Sequence, residues 1–127
     1  YVEMCWKITQ HKKADDFIIA TGKQYTVKIF IEKCFKYLGI KIRWNGSGVN
    51  EIATIVNYDE SKYPKLKKNM KVVKIDKKYF RPNEVENLIG DFSKSKKVLN
   101  WKPKTSIDDL IKEMIDHDIS ESKKLLK

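Results

Sequence analysis

Ile107, Leu110, Ile111, Met114 and Ile115 recur at i, i+3, i+4, i+7 and i+8. That spacing lays all five side chains along one stripe of an α-helix. Ser106 stands at the N-cap position, and Asp108 and Asp109 fall in the first turn, where carboxylates favour the helix dipole. A helix that is apolar along one stripe must bury that stripe against another element. The rest of the chain therefore has to supply a packing surface.

Upstream, short apolar runs alternate with further helical patterns. Val2, Cys5, Trp6 and Thr9 repeat at helical spacing and predict an amphipathic helix over residues 1–11. Phe17-Ile18-Ile19-Ala20-Thr21 is continuously apolar and predicts a buried strand, broken by Gly22. Thr26 suits an N-cap, Val27, Phe30, Ile31, Cys34, Phe35 and Leu38 form a stripe, and Gly39 suits the C′ position. Ile40 to Trp44 alternates like a strand, and Asn45-Gly46-Ser47-Gly48 is a turn cluster. Residues 50–69 carry little pattern, and the lysine-rich stretch from Tyr58 to Lys68 reads as a mobile loop. Lys71 to Ile75 is another strand candidate. Asp91 or Ser93 can cap a short helix through Val98, and Pro103 blocks its continuation past Trp101. The expectation is an α/β chain of several helices and a few short strands, a single domain over residues 1–127.

Lys and Arg number 27 against 17 Asp and Glu, a formal net charge of +10. An anionic partner follows, either nucleic acid or a phosphorylated small molecule. The lysines are dispersed and form no basic arm, which argues against specific nucleic-acid binding. Cys5 and Cys34 form no CxxC pair, so no metal site is expected; both fall on apolar helix faces as small hydrophobes. Such cysteines suit a reducing compartment, the cytoplasm. No apolar run approaches membrane length and no signal peptide is visible, so no membrane partner is expected. Tyr1 follows no initiator methionine and the chain opens inside a helical pattern, which reads as a piece of a longer protein.

Glycines 22, 39, 46, 48 and 90 compose neither GxGxxG nor GxxxxGK. His11 and His117 read as surface residues at the polar ends of helices. Tyr37/Lys41, Tyr58/Lys62 and Tyr63/Lys67 repeat Tyr-x-x-x-Lys, but Gly39, the polar loop and Pro64 remove each pair from a common helix face. No catalytic residue is assigned. The chemistry concentrates in Lys78-Tyr79-Phe80-Arg81-Pro82-Asn83-Glu84-Val85-Glu86. A guanidinium grips a phosphate bidentately where an ammonium cannot. A carboxylate is the usual partner of ribose hydroxyls. Arg81 and Glu84 could hold a nucleotide, or form one structural ion pair on a surface loop. Two classes stand at this point: part of a nucleotide-sugar enzyme, or a standalone basic interaction domain binding nucleic acid or another anionic partner.

Tyr79-Phe80-Arg81-Pro82-Asn83-Glu84-Val85 resembles the YFRPxEV signature of the GDP-mannose 4,6-dehydratase family. Tyr1-Val2-Glu3-Met4-Cys5-Trp6 resembles its YVEAMW helix, and Asp16 to Gly22 its DFVIATG segment. Trp44 to Glu51 resembles its WxGxGxxE loop. Gly90-Asp91 through Trp101-Lys102-Pro103-Lys104 resembles its GDxxKAxxxLxWKP stretch, with Ser95 where alanine is usual. The matches run in order to about residue 119 and omit residues 52–69. The resemblance implies the C-terminal, GDP-sugar-binding part of an extended Rossmann-type short-chain dehydrogenase. A preceding NADP-binding domain would carry the catalytic threonine, glutamate, tyrosine and lysine. It implies a lyase that oxidises C4 of GDP-mannose, loses water across C5 and C6 and returns the hydride to C6. The product, GDP-4-keto-6-deoxymannose, lies on the route to GDP-fucose. Arg81 and Glu84 map to the GDP contacts, with Tyr79 or Phe80 flanking the nucleotide while the other fills the core. Asn83 replaces a small polar residue. Trp101 and Pro103 are expected to pack the final helix against the sheet, and Gly22 and Gly48 to serve turns. A homo-oligomer is expected of the full-length protein, and the 127 residues alone are expected to be inactive.

Overall fold

The structure, a computed structural model, describes residues 1–81 and 88–125. The helical patterns become α1 (Val2–Thr9), α2 (Val27–Tyr37), α3 (Ser93–Leu99) and α4 (Ile107–Leu125). Between α2 and α3 run β1 (Lys41–Asn45), β2 (Ile52–Asn57) and β3 (Lys71–Lys74), with 3₁₀ turns at Gly48–Asn50 and Lys77–Tyr79. The strands form one antiparallel sheet in the order β1-β2-β3. The chain divides into two compact units, Tyr1–Tyr25 with Val85–Ser106, and Thr26–Glu84 with Ile107–Lys127.

In the second unit, Thr26 caps α2 by accepting the Ile29 N–H at 3.1 Å. Gly39 follows the helix at φ +76°, the left-handed conformation that a C′ residue needs and glycine adopts without strain. The chain then turns into β1, where Trp44 pairs with Ala53 and Ile42 with Ile55 across the ladder. β2 has no counterpart in the sequence expectations, although Ile52-Ala53-Thr54-Ile55-Val56 after the Asn45–Gly48 turn carries a hairpin pattern. Ile40, Ala53, Ile55 and Ile111 form the buried apolar set of this unit. α4 lies along α2, tied at its rim by Lys33 to Asp108 at 2.6 Å and by the Tyr37 hydroxyl donating to Asp116 at 2.8 Å. The lysine-rich loop is held from both sides: Tyr58 donates to the Leu66 carbonyl and Tyr63 to the Leu38 carbonyl, 2.9 Å away.

The first unit departs from expectation in two places. Phe17 to Thr21 forms no strand, and Ile18 is 54% exposed. A strand needs a ladder partner, and the described residues give this segment none; instead the Ile18 carbonyl accepts the buried Ser95 hydroxyl at 2.7 Å. That bond also accounts for serine where the resembling family has alanine. Trp101 finds its described ring partner within this unit. It is buried in this unit, edge-on to Phe92 at 6.2 Å between ring centres, because Asn100 at φ +49° ends α3 and turns the chain back. Lys7 of α1 donates to the Leu99 and Asn100 carbonyls at 3.1 and 3.2 Å, satisfying the open C-terminal end of α3. At the other end of α3 the N-cap is Phe92, not Asp91 or Ser93 as expected, and the Asp91 carboxylate just before it accepts the Ser93 N–H at 2.8 Å.

Cys5 is exposed, contrary to the buried placement expected of it; on the two-turn α1 it is Met4 that is buried. Cys34 is half-buried, and that burial pushes its thiol up from the ordinary value. His117 is exposed in the body of α4, while His11 is half-buried with its ring edge-on to Phe17 at 5.6 Å. Among the described residues no helix is long and apolar enough to cross a membrane.

Candidate functional site

Three residues beyond the end of β3 the chain folds into the short turn Lys77–Tyr79, then runs extended through Phe80 to Arg81. The turn forms because Asp76 sits at its N-cap in an extended conformation, φ −87° and ψ 124°, and its carboxylate accepts the Lys78 N–H at 2.9 Å. The Asp76 carbonyl accepts the Tyr79 N–H at 3.1 Å, and the Lys77 carbonyl accepts the Phe80 N–H at 3.4 Å.

Of the expected site residues, Tyr79 and Arg81 lie together in this exposed segment, and Glu84 lies outside the described residues, as does Asn83. Tyr79 is 73% exposed and Phe80 41%. The expectation that one of the two rings fills the core therefore fails: both remain accessible. The Lys78 ammonium sits 5.5 Å from the centre of the Tyr79 ring, a cation–π distance. The segment thus presents a guanidinium, an ammonium and an accessible aromatic face within a few residues. Such a set can receive a phosphate and stack a planar ring.

Asp76 stands outside the motif that singles out Arg81. The signal that marks it is local: an aspartate immediately before a short polar turn, where its side chain can accept a backbone N–H.

The remaining sequence candidates are structural. The Tyr37 hydroxyl is held above its ordinary pKa, first by its hydrogen bond to Asp116 and further by partial burial. A tyrosine so held is a poor acid. The hydroxyls of Tyr58 and Tyr63 are both engaged with backbone carbonyls. Gly22, at φ +69°, packs against the Phe92 ring. In the Trp44–Glu51 loop, Gly46 at φ +84° lets the chain close on itself: a Cβ there would meet the Asn50 carbonyl oxygen at 2.5 Å. Lys28 spans this loop, lying 4.9 Å over the Trp44 ring and pairing with Glu51. A hollow of about 510 Å³ in the second unit is lined by Ile40, Lys62, Tyr63, Pro64, Lys65 and Leu66. Its wall is nearly all apolar and does not suit a diphosphate.

No group of three or more metal-ligating side chains occurs among the described residues. The glycines at 22, 39, 46, 48 and 90 do not compose a dinucleotide cradle, so these residues do not fit NADP.

Comparison with known proteins agrees with the order of motifs. The family model described as GDP-mannose 4,6 dehydratase matches residues 1–114. The chain is 44% identical over 119 residues to the GDP-mannose 4,6 dehydratase of Dictyostelium discoideum, covering 94% of this chain and 31% of that protein. It is 43% identical over 119 residues to a GDP-mannose 4,6-dehydratase of Vibrio cholerae, covering 94% of this chain and 32% of that protein. To the Homo sapiens GDP-mannose 4,6 dehydratase it is 40% identical over 120 residues, covering 94% and 29%. The chain thus spans about a third of the length of the relatives it matches. With the exposed Tyr79–Arg81 segment inside the matched range, the chain belongs to the GDP-mannose 4,6-dehydratase family.

Proposed function

We propose that this chain is the part of a GDP-mannose 4,6-dehydratase that holds the GDP-sugar. The carrying observation is the family match over residues 1–114, with the YFRPNEV segment inside it and Arg81 presented to solvent just after a capped turn. In this reading Arg81 grips the diphosphate bidentately, Glu84 accepts from the ribose hydroxyls, and Tyr79 lies against the nucleotide. NADP is bound by a Rossmann domain outside these residues, which also supplies the acid–base groups of the short-chain dehydrogenase type. GDP-mannose is the substrate, and GDP-4-keto-6-deoxymannose, bound for GDP-fucose, the product. The working enzyme is a cytoplasmic homo-oligomer, and the present residues alone are inactive.

A standalone basic module finds no support. Lys28, Lys33, Lys94 and Lys104 each pair with a carboxylate, which draws charge away from any basic face.

The test is made in the full-length enzyme. Arg81→Lys keeps the charge and removes the planar fork, and should weaken GDP binding by about 1–3 kcal/mol, the order of a hydrogen bond to a charged group. Glu84→Gln should weaken GDP binding while NADP binding stays intact. A structural Arg81–Glu84 pair predicts lower melting temperatures with unchanged affinity. Calorimetric GDP titration beside melting curves separates the two, and wild-type affinity in both variants refutes the proposal.

A further inference from the structure

We infer that Asp76 is the positioning residue of the GDP-sugar site: its side chain holds the Lys77–Tyr79 turn that sets where Tyr79 and Arg81 project. The inference rests on the reading of Arg81 as a diphosphate contact and extends it to a residue that touches no ligand.

Asp76 holds the turn twice. Its carboxylate accepts the Lys78 N–H at 2.9 Å, and its carbonyl accepts the Tyr79 N–H at 3.1 Å. Among the described residues, the one further backbone bond across the turn runs from the Phe80 N–H to the Lys77 carbonyl, at 3.4 Å. A 3₁₀ turn of this length has poor hydrogen-bond geometry and little cooperative stability of its own. The side-chain bond therefore decides much of its population. Packing offers little alternative restraint, since Lys77, Lys78, Tyr79, Phe80 and Arg81 are all exposed. Without the carboxylate acceptor the Lys78 N–H is released and the segment spreads over other conformations. Apparent affinity then falls by the fraction that leaves the competent one.

Asp76 acts through acceptance, not through charge. Among the described residues its carboxylate forms no ion pair. Asparagine and serine cap as well as aspartate, and alanine does not. The prediction is therefore a graded series in which the neutral acceptors rescue.

The experiment compares Asp76→Ala, Asp76→Asn and Asp76→Ser in the full-length enzyme, with GDP titrated calorimetrically and steady-state kinetics on GDP-mannose. Asp76→Ala should weaken GDP binding roughly two- to thirty-fold, the span of measured capping losses. It should raise KM by a similar factor with kcat unchanged, because an interaction shared by ground and transition state is lost. Asn and Ser should stay within about twofold of wild type, as equivalent caps. The fitted stoichiometry reports the folded fraction, so affinity is read even if the alanine variant is recovered poorly. If no folded alanine variant is recovered, the Asn and Ser affinities alone decide. Unchanged affinity in Asp76→Ala, or a loss in Asp76→Asn as large as in Asp76→Ala, overturns the inference. Arg81→Lys is run beside them. If it loses affinity while Asp76→Ala does not, only the positioning role fails; if it binds as wild type, the reading of Arg81 fails first.

Discussion

Gly90→Ala adds one methyl group at a place with no room for it. A Cβ on Gly90 would lie 2.5 Å from the Ala20 Cβ and 3.3 Å from Ile18 Cγ2. Carbon atoms in favourable contact stand about 3.5–4.0 Å apart, so the first distance is far inside the repulsive wall. Neither obstacle is the free end of a long side chain. The Cβ of Ala20 moves only with its backbone, and the nearby Ile18 carbonyl is held by the buried Ser95 hydroxyl at 2.7 Å. The φ of Gly90 lies outside the left-handed range, so the glycine answers a need for space and not for an unusual backbone. Overpacking of this kind costs about 1–3 kcal/mol. With both obstacles tied to one backbone segment, the upper half of that range is expected. Ala20→Gly alone should cost about 0.5–1 kcal/mol through added freedom of the unfolded chain. Combined with Gly90→Ala it removes the closest obstacle, so the double variant should be more stable than the sum of the single losses predicts. Equilibrium urea unfolding followed by tryptophan fluorescence measures all three variants, and the double-mutant cycle isolates the coupling. A Gly90→Ala midpoint equal to wild type, or strict additivity in the double variant, refutes the close-contact argument.

Two further outcomes follow from the described packing. Ile111→Ala, at a position only 2% exposed on the inner face of α4, should cost about 2–5 kcal/mol in urea unfolding; Met114→Ala on the same helix, 45% exposed, should cost clearly less, and equal losses would mean that the α4 stripe is not the buried one. The carboxyl of Asp15 is held below its ordinary range, first by the hydrogen bond from Lys94 and then by the Asp16 N–H. A depressed folded pKa contributes stability that is present above the unfolded aspartate value and lost as pH falls through the folded one. Melting curves from neutral to strongly acid pH should therefore flatten in Asp15→Asn, and the difference should shrink in high salt because the pair is exposed. Parallel curves would show that the pair does not couple to folding.

The helices were legible because their signals are local. The stripe from Ile107 to Ile115, the Thr26 cap and Gly39 after α2 each act within one or two turns, where spacing and backbone preference decide the outcome. β1 and β3 were legible for the same reason. β2 was hidden by the polar residues that follow it, although its β-branched run after a glycine turn is itself a hairpin signal. In the site, Arg81 stood out by residue type beside a proline. Asp76 did not, since an N-cap on a short turn looks like any other loop aspartate until its hydrogen bond is seen.

By itself the sequence determined which stretches are helical, that Gly39 ends α2, and, through motifs in a shared order, the family. Only the tertiary structure decided that Phe17 to Thr21 has no ladder among the described residues, that Trp101 turns onto Phe92, and that Gly90 must be bare beside Ala20. It also placed Ser95 against Ile18, residues 77 positions apart in the chain. Periodicity and propensity act over a few residues, whereas a ladder partner, an aromatic neighbour or a missing Cβ is set by segments that meet only once the chain has folded.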